Sequence, residues 1–292
     1  MRPLESVPNF SEGRNRETID ALAEALGSRA RLLDVHADED HNRSVFTLVG
    51  SEEDLVESLL AGIGCAVERI DLRRHEGAHP RVGAADVVPV VPLVREELGR
   101  AAACAEMLAG RVGSELGLPV FRYGELASGR GPAFFREGGR DGLRNRVAAG
   151  EIVPDYGPAD VGERSGAVLV GARRPLIAFN VNLRGSLDAA RGVARAVRER
   201  DGGFPGVRAL GLDLPSAGLV QVSMNVEDYE AAALHEIVER VTAEAEARGA
   251  EVAGSELVGL MPAGAAVAAA GAILRIDGFD ASRVLELRLL EE

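Results

Sequence analysis

Residues 71–89, DLRRHEGAHPRVGAADVVP, gather two of the five histidines, His75 and His79, with Arg73, Arg74 and Arg81, two glycines and two prolines, the most unusual segment of the chain. Such a mixture belongs on an exposed loop rather than in a core. An imidazole there could move protons near neutral pH, and guanidinium groups beside it could hold carboxylates in two-pronged fashion. A second chemistry is also written in the segment. His75-Glu76-Gly77-Ala78-His79 fits the HExxH pattern of zinc peptidases, which requires both histidines on one face of a helix with the glutamate beside the metal-bound water. Gly77 weakens a helix, and Pro80 disfavours helical geometry at His79. The longer metzincin pattern fails at Val82 and Ala85. A surface loop with no catalytic part is the third alternative.

The rest of the composition bounds what this segment can serve. The chain has 292 residues, 46% of them hydrophobic, enough for one large or two ordinary domains. Asp and Glu outnumber Lys and Arg by 46 to 33, a formal charge of -13. Nucleic acid is therefore not an expected partner, because phosphate neutralisation needs surplus cations. Any anion must instead meet a local basic cluster, and residues 71–89 supply one. Cys65 and Cys104 show no metal or disulfide spacing and read as reduced thiols. The N-terminal MRPLESVPNFSEG has no apolar run for a leader, and the stretch from Met261 to Leu274 is shorter than the ~20 residues of a membrane span. Cytoplasm is the expected compartment, with no membrane partner.

Hydrophobic periods of 2 and 3.6 alternate along the chain, which sets the class as mixed α and β. Ile19, Leu22, Ala23 and Leu26 share one helical face, and strands are expected at 32–35 and 45–49. Ser51 is a candidate N-cap for a helix whose stripe runs through Leu55, Leu59, Ile63 and Val67. In the second half a strand at 176–181 precedes a helix opened by Ser186. Two strands follow at 207–214 and 219–225, joined by a turn near 216–218, and then a helix carries Leu234, Ile237, Val238 and Val241. Strand-helix-strand-strand-helix-strand thus occurs twice, near 4–93 and 175–258, the ferredoxin-like βαββαβ order. The expected architecture is α/β (α+β): two such subdomains, 1–174 and 175–292, with antiparallel or mixed sheets facing across a cleft. Residues 124–150, rich in Gly and Arg, read as loops and short helices.

The chemistry-bearing segment resembles the signature of the glutamate formimidoyltransferase family, His-x-Gly-x-His-Pro-Arg-x-Gly-Ala-x-Asp-Val, here His75, Gly77, His79, Pro80, Arg81, Gly83, Ala84, Asp86 and Val87. Further motifs agree in order: VPNFSEG at 7–13, LLDV at 32–35, NR at 42–43, TLVG at 47–50, VPDYGP at 153–158, GAR at 171–173, AFNVNL at 178–183 and VGL at 258–260. The resemblance implies transfer of the formimidoyl group from N-formimidoyl-L-glutamate to N5 of tetrahydrofolate as co-substrate, in a homodimer that needs no metal. It gives the acid/base role to His79 and places the folate loop at Gly157, Pro158, Ala159, Asp160, Val161, Gly162, Glu163, Arg164, Ser165 and Gly166.

Departures from the animal enzymes are Glu76 for lysine, Ala78 for glutamate and His36 for aspartate, and the folate loop lacks the family's aromatic residues, offering Val161, Glu163 and Arg164 instead. The cyclodeaminase domain of those enzymes has no counterpart here, so deamination of the product is expected to fall to a separate enzyme. Because both substrates carry carboxylates, Arg43, Arg81 and Arg173 are the candidate anion ligands. His75 is expected to order the loop, and His41 either caps a turn or touches substrate. His235 reads as a surface or packed helix residue. A sibling transferase using N-formyl-glutamate, and a non-catalytic folate-binding module, are the competing readings.

Overall fold

The computed structural model describes residues 2–127 and 130–289, so the last three residues of the expected second subdomain lie outside it. The chain divides into two compact units, Met1–Arg174 and Pro175–Glu292.

The first unit opens with two short strands, β1 (Leu4–Ser6) and β2 (Asn9–Phe10), followed by α1 (Arg16–Leu26), β3 (Arg31–Asp38), β4 (Arg43–Gly50), α2 (Glu52–Arg69) and β5 (Ala85–Pro92). The helices begin where the sequence offers caps: Asn15 accepts from the Thr18 amide and Ser51 from the Asp54 amide. β1 and β2 together fill one strand position between β4 and β5, and β3 lies outside β4, all antiparallel. This is the expected βαββαβ unit. The chain then extends the same sheet. After α3 (Leu98–Glu115), strand β6 (Val120–Gly124) lies parallel to β7 (Val168–Ala172), and β7 lies parallel to β5, giving a seven-stranded mixed sheet.

The expected loop at 71–89 ends earlier in the fold. Residues from Ala85 onward form β5, every residue of which is buried. The run Val87, Val88, Val90, Val91 sits between β1/β2 on one side and β7 on the other, where both faces need apolar side chains.

One face of this sheet carries the main core, in which Leu22 and Leu26 of α1, Leu55, Leu59 and Ile63 of α2, and Leu108 and Val112 of α3 meet Phe46, Leu48, Val88 and Val90. The other face holds a separate apolar cluster of Val82, Val87, Phe121, Tyr123 and Leu169 with Phe135, Leu143 and Val147. The last three come from α4 (Pro132–Phe135) and α5 (Gly139–Ala148), the short helices expected of this Gly-rich stretch.

The second unit is β8 (Ile177–Arg184), α6 (Leu187–Val197), β9 (Val207–Leu214), β10 (Leu219–Val226), α7 (Leu234–Glu246) and β11 (Glu251–Val258), followed by α8 (Ala263–Leu274) and α9 (Leu285–Leu289). Its antiparallel sheet has the order β11-β8-β10-β9. Val222, Met224 and Val226 of β10 point into a core shared with Val193 and Val197 of α6 and Ile237 and Val241 of α7. The alternation read from 219–225 is therefore the buried face of a central strand. Among the described residues, no helix is long and apolar enough to cross a membrane.

Candidate active site

Four of the sequence segments singled out above converge at one end of the first unit's sheet. The link from α2 to β5 runs against the turn between β3 and β4, and backbone and side-chain bonds stitch the two together. Asn42, in the left-handed conformation at φ 46°, donates from Nδ2 to the Glu76 carbonyl and accepts from the Gly13 amide, each at 2.9 Å. Asn tolerates that conformation better than most side chains. Gly77 passes so close to the turn that a Cβ would lie 2.4 Å from the His41 carbonyl oxygen. No other residue type fits there without moving the loop.

Arg81 completes the splice. Its guanidinium donates to the carbonyls of His79 (2.8 Å from Nη2), His41 (2.8 Å) and Asn42 (3.0 Å), and also meets the His75 ring. Only 9% exposed, it spends its fork on the loop's own backbone. In this arrangement the Arg81 guanidinium ties the histidine loop to the β3–β4 turn. His75 accompanies it, with Nε2 3.0 Å from the Asn42 carbonyl. Burial, and then the Arg81 charge, push its pKa down to about 4. That suits the expected loop-ordering part.

His79 is half-buried among polar neighbours. Its Nδ1 lies 2.8 Å from the Pro80 carbonyl oxygen and so carries the hydrogen. The lone pair is left on Nε2, which accepts from Arg43 Nη1 at 2.8 Å. Desolvation, then the charges of Arg43 and Arg136 and the neighbouring His41, hold the imidazole well below its ordinary pKa, against a smaller opposing effect of the Pro80 bond. The ring is neutral at pH 7, with its basic nitrogen fixed in direction. The His41 ring stands 6.0 Å from it, centroid to centroid.

Arg43 opens β4 and is crowded by like charge. Burial, and then Arg136, with Arg81 adding to them, lower its pKa to about 9 against the pull of Asp86 and Asp38. Asp86, at the start of β5, accepts from the Val82 amide at 2.7 Å and pairs with Arg136 just beyond α4. Only 3% of the Asp86 side chain and 15% of the Arg136 side chain are exposed. Sequence reasoning quoted Asp86 within the signature without giving it a part, and did not single out Arg136. A lone carboxylate ahead of a valine run was a legible sign that some buried cation must face it, but nothing in spacing pointed to a partner 50 residues away.

Arg173 follows β7, half-buried beside the Tyr123 phenol, whose pKa burial raises to about 12. The expected folate loop adjoins the histidine loop directly. Gly83 bridges Gly166, the Ala84 amide donates to the Ser165 carbonyl at 2.8 Å, and the Leu72 amide donates to the Arg164 carbonyl at 2.9 Å. Gly166 has φ 70° and approaches Val82 too closely for a side chain. Within the loop Val161 is buried, whereas Gly157, Pro158, Ala159, Asp160, Gly162, Glu163 and Arg164 are exposed. Val161, Gly162, Glu163 and Gly166 line a hollow of about 260 Å³ with Arg73, Val82, Asp141 and Arg144. His75, His79 and Arg81 border a second, open depression of about 370 Å³, a volume in the range of small-molecule sites.

Residues 75–79 are not helical, so His75 and His79 never share the helical face that HExxH chemistry needs. Their ring nitrogens face guanidinium groups and carbonyl oxygens instead. Among the described residues, no group of three or more His, Cys, Asp or Glu is arranged to hold a metal. His36 is half-buried on β3, opposite Val45 of β4. His235 lies half-buried at the start of α7, in the second unit.

Fold and site together define a two-unit α/β protein with a neutral, directionally fixed imidazole ringed by arginines. Residues 3–173 match the formiminotransferase domain, N-terminal subdomain, and residues 178–279 match the formiminotransferase domain. The chain is 39% identical over 301 residues to the glutamate formimidoyltransferase of Thermoplasma acidophilum, covering 99% of this chain and 98% of that one. It is 37% identical to the enzyme of that name from Streptococcus pyogenes serotype M1, covering 98% of each. The formimidoyltransferase-cyclodeaminase of Sus scrofa is 40% identical over 271 residues, which span 89% of this chain and 50% of that protein. The chain belongs to the formiminotransferase family.

Proposed function

We propose that the protein transfers the formimidoyl group of N-formimidoyl-L-glutamate to N5 of tetrahydrofolate, giving 5-formimidoyltetrahydrofolate and glutamate, with His79 as the general acid/base. The single observation that carries this reading is the His79 ring: its Nδ1–H is fixed on the Pro80 carbonyl at 2.8 Å, which leaves the lone pair on Nε2, where Arg43 holds it in the resting site, and the residue borders a hollow in a formiminotransferase-family fold.

N5 attacks the formimidoyl carbon and forms a tetrahedral centre bearing three nitrogens. The proton on the attacking nitrogen passes to His79 Nε2 and then to the nitrogen of glutamate, which leaves as a neutral amine when the carbon–nitrogen bond breaks. A group that accepts and then returns one proton is what both steps require, and such catalysis contributes roughly 10²–10⁴ in rate. Juxtaposing the two substrates supplies the other large factor. The loop Gly157–Gly166, bonded to the histidine loop, holds the folate, and Arg43 and Arg173 meet substrate carboxylates. No protein-bound metal takes part. We place the protein in the cytoplasm as a homodimer on the family resemblance.

The test is a coupled assay with tetrahydrofolate and N-formimidoyl-glutamate, followed by the absorbance of the cyclised folate after acid treatment. N-formyl-glutamate is run in parallel, and release of glutamate from it alone identifies the sibling activity. Saturable folate binding without transfer from either donor identifies a binding module.

A further inference from the structure

Two buried guanidinium nitrogens next to His79, Arg43 Nε and Arg136 Nε, have no hydrogen-bond partner among the described residues. Buried donors are almost always paired, so two orphans in one place call for an acceptor. The charge balance says the same. Arg43, Arg81 and Arg136 crowd together with Asp86 as their one buried carboxylate among the described residues, helped by half-buried Asp38. Arg136 is held in place by Asp86, whereas Arg43 has turned its Nη1 onto the lone pair of His79. A base whose lone pair is capped by a cation cannot take a proton.

Resting on the formimidoyl-transfer reading, we infer that Arg43 is a latch on the base: a carboxylate of the donor seats between Arg43 and Arg136, draws Arg43 off His79 Nε2, and so frees the imidazole only when donor is present. The anion neutralises the guanidinium charges that disfavour the imidazolium and satisfies the two orphan nitrogens in the same step. No covalent bond changes in this exchange, in which a charge-assisted hydrogen bond to a carboxylate replaces one to a neutral ring nitrogen. On this scheme Arg43 binds the donor's carboxylate and controls access to His79 Nε2, without itself moving the proton.

The groups that set the His79 titration are Arg43 on β4, His41 in the β3–β4 turn and Arg136 beyond α4. Asp86, Asp38 and Arg81 act on it through Arg43. The free enzyme therefore titrates at lower pH than the donor complex. Transfer needs the neutral ring, so activity falls as pH drops through the pKa of whichever form is rate-determining. The acid limb of kcat is expected at higher pH than the acid limb of kcat/KM.

The experiment has two arms. In the first, the full chain labelled with ¹⁵N-histidine is titrated with L-glutamate, the carboxylate-bearing product, and His79 Nε2 is followed by NMR across pH. Glutamate is expected to shift the Nε2 resonance and raise the pKa of the ring by at least one unit. A ring whose shift and pKa ignore saturating glutamate overturns the latch, whatever the enzyme's turnover. In the second arm, Arg43→Met and Arg43→Lys are assayed over pH. Arg43→Met should raise the donor KM about 10- to 100-fold, the loss expected for one charged hydrogen bond, and bring the two acid limbs together. Arg43→Lys should restore part of their separation. Limbs as far apart in Arg43→Met as in the wild type refute the latch. Wild-type enzyme that transfers nothing from either donor refutes the activity while leaving the first arm able to decide the latch.

Discussion

Asp86→Asn isolates the buried pair that braces the site. The asparagine keeps the size of the side chain, and its carbonyl still accepts from the Val82 amide, now 2.7 Å from Oδ1. Its amide group, however, turns two N–H donors toward the N–H donors of Arg136. With the carboxylate 3% and the guanidinium 15% exposed, little solvent is present to screen the orphaned charge. Removing one partner of a buried pair costs ~3–5 kcal/mol, and the partial access of Arg136 to solvent puts the expectation at the lower end, ~3 kcal/mol. For a unit of this size that is a fall in Tm of about 6–12 °C. The assay is thermal and urea melting followed by circular dichroism, with Asp86→Asn, Arg136→Met and the double variant in one cycle. The double variant should regain most of the loss, because neutral groups of similar volume can replace a buried pair at small cost. If Asp86→Asn costs under about 1 kcal/mol, or the double variant loses the sum of the two singles, the pair does not organise the site.

Three further outcomes follow from the geometry. Gly77→Ala would put a Cβ 2.4 Å from the His41 carbonyl oxygen and 2.6 Å from Arg81 Nη2, so the loop must shift. A displacement on the scale of an ångström lowers kcat by about 10²-fold in transfer assays, and melting should show a loss of ~1–3 kcal/mol. His75, with its pKa lowered to about 4 in the fold, binds fewer protons there than in the unfolded chain between pH 4 and the ordinary histidine value. Its contribution to stability is full above that value and is lost as pH falls across the window; in His75→Gln the slope of urea stability against pH over that range should be shallower. Cys104, 2% exposed and with its thiol pushed up to about 12, should react with a thiol reagent at pH 8 only on unfolding, well after half-buried Cys65. Equal labelling rates for the two would contradict the core placement.

Much of this fold could be read locally. The stripe Leu55–Leu59–Ile63 with its Ser51 cap and the alternation of Val220, Val222 and Met224 are patterns of period 3.6 and 2 that depend on one element at a time, and both sheets formed around them. The parallel extension by β6 and β7 was not legible. Those strands are five residues each, β7 wholly buried and β6 mostly so, and owe their existence to α3 carrying the chain back across the sheet. The same reason ended the histidine loop early: β5 is apolar on both sides and shows no alternation. At the site, His79 stood out because proline, glycine and arginine surround it in sequence. Arg136, in a Gly- and Arg-rich stretch where every arginine looks alike, is distinguished only by the carboxylate that β5 brings to it. Arg81 looked like an anion ligand on the strength of its residue type alone. The carbonyls that the β3–β4 turn brings to its guanidinium could not be read from the sequence.

The central claim, that His79 carries the proton between the two nitrogens, is met most directly by His79→Asn. Asparagine can still bond to Pro80 and Arg43 but cannot act as a base near neutral pH. Transfer from N-formimidoyl-glutamate should fall by ~10²–10⁴, with the dissociation constant for tetrahydrofolate within a few-fold of that of the unaltered protein. A variant that turns over at the wild-type rate, with both substrates bound, would show that some other group moves the proton.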